Sequence, residues 1–73
     1  MPERLAVLHS IWEKELGASA RQLSLVGVQR GNIYVKASSP AAGQELIMRT
    51  AEIIRGLNKH FERKWIRAIK LSR

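Results

Sequence analysis

The spacing of the apolar residues changes along this chain, and the changes restrict the folds that it can adopt. Over residues 3–16 the apolar residues Leu5, Leu8, Trp12 and Leu16 recur at the spacing of one helical face. Gly17 follows as a stop signal. From Arg21 the period becomes two, with Leu23 and Leu25 in a first run and Ile33, Val35 and Ala37 in a second. The first half therefore predicts a helix and then a hairpin.

The link between the two predicted strands, residues 27–32, contains two glycines and an Arg-Gly-Asn turn. Gly27 marks either a β-bulge or the end of the first strand.

The second half of the chain predicts one long helix and a closing strand. Ser38 and Ser39 precede Pro40, which is the pattern of a serine cap followed by proline at the first helical position. The helix is predicted to run from about residue 40 to about residue 60, because an apolar face continues that far. That face consists of Ala42, Leu46, Ile53, Ile54, Leu57 and Phe61. Residues 64–71 are rich in strand formers and end the predicted fold.

The order helix, strand, strand, helix, strand predicts an α+β fold in which residues 1–73 form a single domain. Two helices are expected to cover one face of a three-stranded sheet. The last strand follows a helical crossover, so we expect it to run parallel to one hairpin strand. The predicted core consists of Leu8, Trp12, Leu16, Leu25, Ile33, Val35, Leu46, Ile53, Leu57 and Ile69.

Positive charge is concentrated at the C-terminal end. Residues 55–73 hold seven bases and one acid, Glu62, which gives +6 of the formal net charge of +7. Such a one-sided field favours a polyanionic partner. The predicted nucleic-acid site consists of Arg55, Lys59, Arg63, Lys64, Arg67 and Lys70. The first three recur every four residues, so they form one line if the helix extends that far. A solvated face is the plainer alternative, but such a face usually mixes both signs.

Catalytic and metal sites find little support in the sequence. The chain contains no Asp and no Cys, and its histidines, His9 and His60, lie on separate predicted helices. A metal site needs three or four converging donors. Glu13 and Glu15 do not share a helical face, and no Walker loop is present. We therefore predict no catalytic residue, cofactor, metal ion or small-molecule substrate.

Three aromatic residues have different predicted roles. Trp12 continues the apolar stripe and is predicted to be core. Trp65, at the start of the closing strand, is the candidate partner-binding residue, because exposed tryptophans are typical of binding hot spots. Tyr34 lies on a half-solvated sheet, where it offers at most one base-stacking contact, with ordinary packing as the alternative.

The sequence also bears on location. The lack of cysteine fits a reducing cytoplasm, and no apolar run approaches the length needed to span a bilayer. The N-terminus does not have the pattern of a signal peptide. We expect a cytoplasmic protein without membrane attachment.

Short motifs in a fixed order resemble a known family. They are Ile11-Trp12-Glu13-Lys14-Glu15-Leu16-Gly17, Leu23-Ser24-Leu25, Gly31-Asn32-Ile33-Tyr34-Val35, Ser39 with Ala41, Gln44-Glu45-Leu46, Leu57-Asn58 and Ile66-Arg67-Ala68-Ile69-Lys70-Leu71. Together they resemble the bacterial domain-of-unknown-function family that includes DciA, the replicative helicase loader. Ala42 departs from the family pattern, which usually has a tryptophan shortly before Gln-Glu-Leu.

The resemblance implies a KH-like domain of type II order, but this chain does not have the Gly-x-x-Gly loop with which KH domains clamp a nucleic-acid backbone. It also implies association with a replicative DnaB-type helicase and with DNA, without catalysis. RNA is an alternative ligand. Two other functions remain open on the residues alone: a general RNA- or DNA-binding module, and a protein-interaction adaptor with no helicase role.

Overall fold

The structure, a computed structural model, describes the backbone of residues 2–72 and the side chains of residues 6–72. Its helices are α1 (Pro2–Leu16), a 3-10 turn (Gly17–Arg21), α2 (Pro40–Met48) and α3 (Thr50–Asn58), and its strands are β1 (Leu23–Gln29), β2 (Asn32–Ala37) and β3 (Ala68–Leu71). The predicted α+β class and order of elements are confirmed. Leu5 of the predicted stripe and Arg73 of the basic run lie outside the described side chains.

The three strands form one sheet with β2 in the centre. β1 and β2 are antiparallel, and β3 runs parallel to β2, as the sequence predicts. The register shifts between Leu25 and Gly27. Of the two interpretations of Gly27, the bulge is therefore correct, and β1 continues beyond it.

The hairpin turn contains Arg30 and Gly31, which both have positive φ, at 51° and 83°. This is the backbone that a two-residue hairpin needs to match the twist of its strands. The turn also touches the segment before β3. The Gly31 carbonyl accepts a hydrogen bond from the Arg67 N–H at 2.7 Å. A Cβ atom on Gly31 would lie 2.7 Å from the Trp65 carbonyl oxygen.

The core lies between the helices and one face of the sheet. Its buried residues are Leu8, Ile11, Trp12, Leu16, Leu23, Leu25, Ile33, Val35, Ala42, Leu46, Ile53, Leu57 and Ile66. Every predicted core residue is in this set except Ile69, which is partly buried and packs against it. Trp12 is 2% exposed, and its indole N–H donates to the Leu23 carbonyl at 2.8 Å.

Helix α2 begins as predicted. The hydroxyl of Ser39 accepts a hydrogen bond from the Ala42 N–H at 3.1 Å, and Pro40 opens the helix. The two glycines inside the helical region lie at close contacts. Gly43 faces Leu71, and a Cβ atom on Gly56 would overlap the carboxylate of Glu15 on α1.

The single long helix predicted over residues 40–60 is wrong, because the structure has two helices joined at Arg49. Arg49 has φ −105° and ψ 11°, outside the helical region. The Thr50 hydroxyl donates to the Leu46 carbonyl at 2.9 Å. Such a side-chain bond bends a helix because it competes with the backbone for the same acceptor. The Ile53 N–H still bonds the Arg49 carbonyl at 2.9 Å, so the second helix starts at once.

The closing strand is shorter than predicted and starts at Ala68 instead of residue 64. The reason is a side-chain contact. The Asn58 Nδ2 donates to the Ile66 carbonyl, and the Ile66 N–H donates to Asn58 Oδ1, both at 3.1 Å. The backbone of Ile66 is therefore bonded to α3 and not to β2.

Candidate nucleic-acid interface

Three of the six predicted bases surround a groove beside α3. The groove has a volume of about 610 Å³ and is lined by Ala51, Ile54, Arg55, Asn58, Lys59, Phe61, Glu62 and Lys64. We call it the α3 groove. Its four positions on α3 follow the spacing i, i+3, i+4 and i+7, so they share one side of the helix. Ile54 and Phe61 are half-buried and provide apolar surface, whereas Arg55, Lys59 and Lys64 are exposed.

Residues 59–67 carry four of the six bases and are held to the body of the domain. Near its start, the His60 Nε2 lies 2.9 Å from the Glu15 Oε2 on α1. Near its end, Ile66 is bonded to Asn58, and Arg67 to the hairpin turn. The bases therefore lie on a segment that has contacts at both ends.

Arg63 does not continue the line of Arg55 and Lys59, because the helix does not extend to residue 63, which was the condition of that prediction. Lys59 is the C-cap of α3, and its N–H bonds the Arg55 carbonyl at 3.2 Å. The chain then turns, with the Phe61 N–H bonded to the Asn58 carbonyl at 3.1 Å. Arg63 is exposed but is not part of the groove lining.

The remaining two bases lie towards the sheet. Arg67 packs beside the hairpin turn, where its Cγ and Cδ would lie 3.2 Å from a Cβ atom on Gly31. Lys70 is the ladder partner of Tyr34. Because Ile69 packs on the core and strand side chains alternate, Lys70 points to the opposite face. The six predicted bases therefore occupy more than one surface.

The sheet face that points away from the helices is a second basic surface. By alternation with the buried residues of each strand, it carries Ser24, Gly27, Gln29, Asn32, Tyr34, Lys36, Ala68 and Lys70. We call it the open sheet face. Sequence reasoning missed Lys36, because charge was counted along the chain and Lys36 lies far from the C-terminal run. The alternation of Tyr34 and Lys36 in the predicted hairpin was the signal that would have found it.

Trp65, the predicted partner-binding residue, is half-buried. It packs against the core, and its ring meets Phe61 edge to face, with ring centroids 5.2 Å apart and planes at 83°. Phe61 lines the α3 groove. Trp65 therefore supports one wall of that groove.

Among the described residues there is neither a metal-binding cluster nor a membrane-spanning helix. Within residues 6–72, no group of three or more His, Asp, Glu or Cys residues is placed to hold a metal ion. Across the described helices, none combines the length and the apolar character of a membrane span.

The fold and the exposed bases define a small α+β domain with a positively charged surface. The chain belongs to the DciA family: the family model described as "Dna[CI] antecedent, DciA" matches residues 2–71. This confirms the family that the sequence motifs indicated. No curated protein and no solved structure matches the chain. The observed order of elements is compatible with the KH-like domain that the resemblance implies.

Proposed function

We propose that this DciA-family protein is a non-catalytic accessory factor of the replicative DnaB-type helicase that binds nucleic-acid backbone. The proposed contacts are Arg55, Lys59, Arg63, Lys64, Arg67 and Lys70. The observation that carries the proposal is that all six side chains are exposed and available. Among residues 6–72, the ion pairs within 4.0 Å join Arg49 to Glu52 and His60 to Glu15, so they use none of the six.

Exposed bases of this kind bind phosphate without reading the base sequence. Family membership supports the helicase as the protein partner. A loader must hold a protein ring and a polyanion together. The sequence contains no Walker loop, so the protein acts through binding energy and a shift among the states of the ring.

The first prediction tests nucleic-acid binding. Each neutralised phosphate contributes a slope of about 0.9 on duplex and about 0.7 on single strands to the dependence of log affinity on log salt. A ligand that reaches all six bases gives a total slope of about −4 to −5, and one that reaches the bases of a single surface gives a proportionally smaller slope. Titrations against single-stranded DNA, duplex DNA and RNA at two NaCl concentrations measure it.

A matched pair of variants locates the contact. Lys59→Gln should lower the slope by about one unit, whereas Lys14→Gln, an exposed base on α1, should leave it unchanged. If the folded protein binds none of the three nucleic acids at low salt, the nucleic-acid proposal is wrong.

The α3 groove favours a second candidate, a protein-interaction module. Phosphate binding needs no apolar surface, but Ile54 and Phe61 provide one in the groove that the three bases also line. A partner segment with an apolar side chain flanked by carboxylates matches this surface. In this second candidate the groove holds the helicase, and Arg55, Lys59 and Lys64 face carboxylates of the partner instead of phosphates.

The second prediction uses Ala51, an exposed groove residue on α3. Ala51→Glu puts a negative charge where an acidic segment would dock, so we expect it to weaken binding to the helicase of the same organism at least tenfold. Ala6→Glu, on an exposed position of α1, is the control. Calorimetric titration measures both. Equal affinity for the two variants would place the helicase contact elsewhere, and no binding by the unaltered protein would leave only nucleic-acid binding.

A further inference from the structure

The open sheet face is not covered by any element among residues 2–72. Ile33 and Val35 of the central strand point into the core, where the helices pack. Tyr34, which lies between them, points the other way. It is the only tyrosine in the chain and is half-buried. An aromatic side chain therefore stands at the centre of an uncovered surface.

The space beside Tyr34 is open on one side. Its ladder partner in β1 is Gly27, which has no side chain. Apart from its chain neighbours, a Cβ atom built on Gly27 would meet no atom within 4 Å, so the Tyr34 ring lies farther than this from that position. Next to Gly27, Val26 is 55% exposed at the bulge. The side of the face towards β1 is thus open and weakly apolar.

Two further neighbours of Tyr34 on this face are basic. Lys70 is its ladder partner in β3, and Lys36 follows it on the same face of β2. At the hairpin end, Arg30 lies in the turn and Arg67 packs beside it. The sequences of the three strands contain no Asp or Glu. The face therefore has uncompensated positive charge around an aromatic ring.

We propose that the open sheet face binds single-stranded nucleic acid, with one base stacked on Tyr34 and the flanking phosphates on Lys36 and Lys70. This inference rests on the proposed function and narrows its ligand. Stacking requires an unpaired base, because the bases of a duplex are already stacked on one another. A positive groove combined with an aromatic platform is the usual arrangement for binding single strands without sequence preference.

The third prediction tests the ring. A base stacked on an aromatic side chain adds to the binding free energy. Losing this stack in Tyr34→Ala should weaken binding of an oligothymidine by about 5- to 150-fold. Duplex affinity should change by less than about twofold, because backbone contacts do not need the ring. Tyr34→Phe keeps the ring and should stay within about twofold of the unaltered protein. Fluorescence anisotropy with labelled single-stranded and duplex oligonucleotides of equal length measures all three.

The salt dependence separates stacking from charge. Tyr34→Ala should leave the slope of log affinity against log salt unchanged, whereas Lys70→Gln should lower it by about 0.7. Lys14→Gln is again the control base. A further variant, Gly27→Val, places a side chain beside Tyr34, at a position where an added Cβ atom meets no non-neighbouring residue within 4 Å. It should weaken single-strand binding even if Tyr34→Ala fails to fold.

Different results would contradict the proposed function and the stacking site. If the unaltered protein binds no nucleic acid at low salt, the proposed function and this inference both fall. If it binds, and both Tyr34→Ala and Gly27→Val bind single strands as tightly as the unaltered protein, only the stacking site is wrong. Equal losses on single strands and duplex, or loss of helicase binding alone, would also overturn it.

Discussion

Two buried polar side chains, those of Trp12 and Asn58, connect successive elements of the chain. The indole of Trp12 bonds the carbonyl of Leu23, and the carboxamide of Asn58 bonds both backbone groups of Ile66. A buried polar group that loses its partner costs about 1–3 kcal/mol. These contacts therefore fix α1 against β1, and α3 against the segment that carries the bases.

The glycines at positions 27 and 31 lie in the same hairpin but under different constraints. Gly31 has φ 83°, and an added Cβ atom would meet the backbone oxygen of Trp65 at 2.7 Å. A backbone atom cannot rotate away as a flexible side chain can. Gly27 has neither a positive φ nor a neighbour within 4 Å of the added atom.

The fourth prediction compares these two glycines. Gly31→Ala should destabilise the domain by at least about 1–2 kcal/mol, because an L-residue in the left-handed region costs that much before the contact with Trp65 is counted. Gly27→Ala should be neutral or slightly stabilising, since alanine restricts the unfolded chain. Urea unfolding measures both variants. Similar midpoints for the two would mean that the hairpin turn does not dock on the segment before β3.

At the scale of elements, the sequence predicted what local pattern controls. The alternation around Ile33 places β2 correctly, and Ser39 with Pro40 marks the start of α2. The interruption at Arg49 was not predicted, because the apolar face continues across it. At this point the Thr50 hydroxyl donates to the Leu46 carbonyl. The hydroxyl thereby competes with the backbone N–H groups of the helix for the same acceptor.

At the end of the chain, too, the local pattern predicts only part of the structure. Residues 64–71 have strand composition throughout, but only Ala68–Leu71 pair with β2. The positions of the four residues before them are set by contacts with residues of other elements, such as Asn58 and Gly31. Composition indicates which secondary structure a segment favours, whereas the strand or helix that the segment bonds to is decided by the rest of the fold.

The sequence identified the basic residues of the candidate site but not the surface on which each of them lies. The count of bases in residues 55–73 identified the positive end of the chain. Which of them line the α3 groove and which lie on the open sheet face depends on where α3 ends and on the strand register. Lys36 joins Lys70 on one face only because β2 and β3 are neighbours.

At the scale of the whole molecule, the domain concentrates like charge within a short distance. Its extents are 32 × 21 × 20 Å and its formal net charge is +7. The Debye length is about 30 Å at 10 mM salt and about 10 Å at 100 mM. At the lower concentration the bases on different surfaces therefore repel one another across the whole domain, and at the higher one only near neighbours do. Such self-repulsion destabilises the compact state.

The fifth prediction is that salt acts on folding and on binding in opposite directions. Raising NaCl from about 10 to about 100 mM should raise the urea midpoint of the free protein, because screening relieves repulsion among the bases. Over the same range the affinity for nucleic acid should fall. A variant with Arg63→Gln and Lys64→Gln, both exposed, should show a smaller rise in midpoint, which separates charge screening from a general effect of salt on burial. If the midpoint of the unaltered protein stays level or falls, repulsion among the bases does not limit the stability of the domain, and this prediction is wrong.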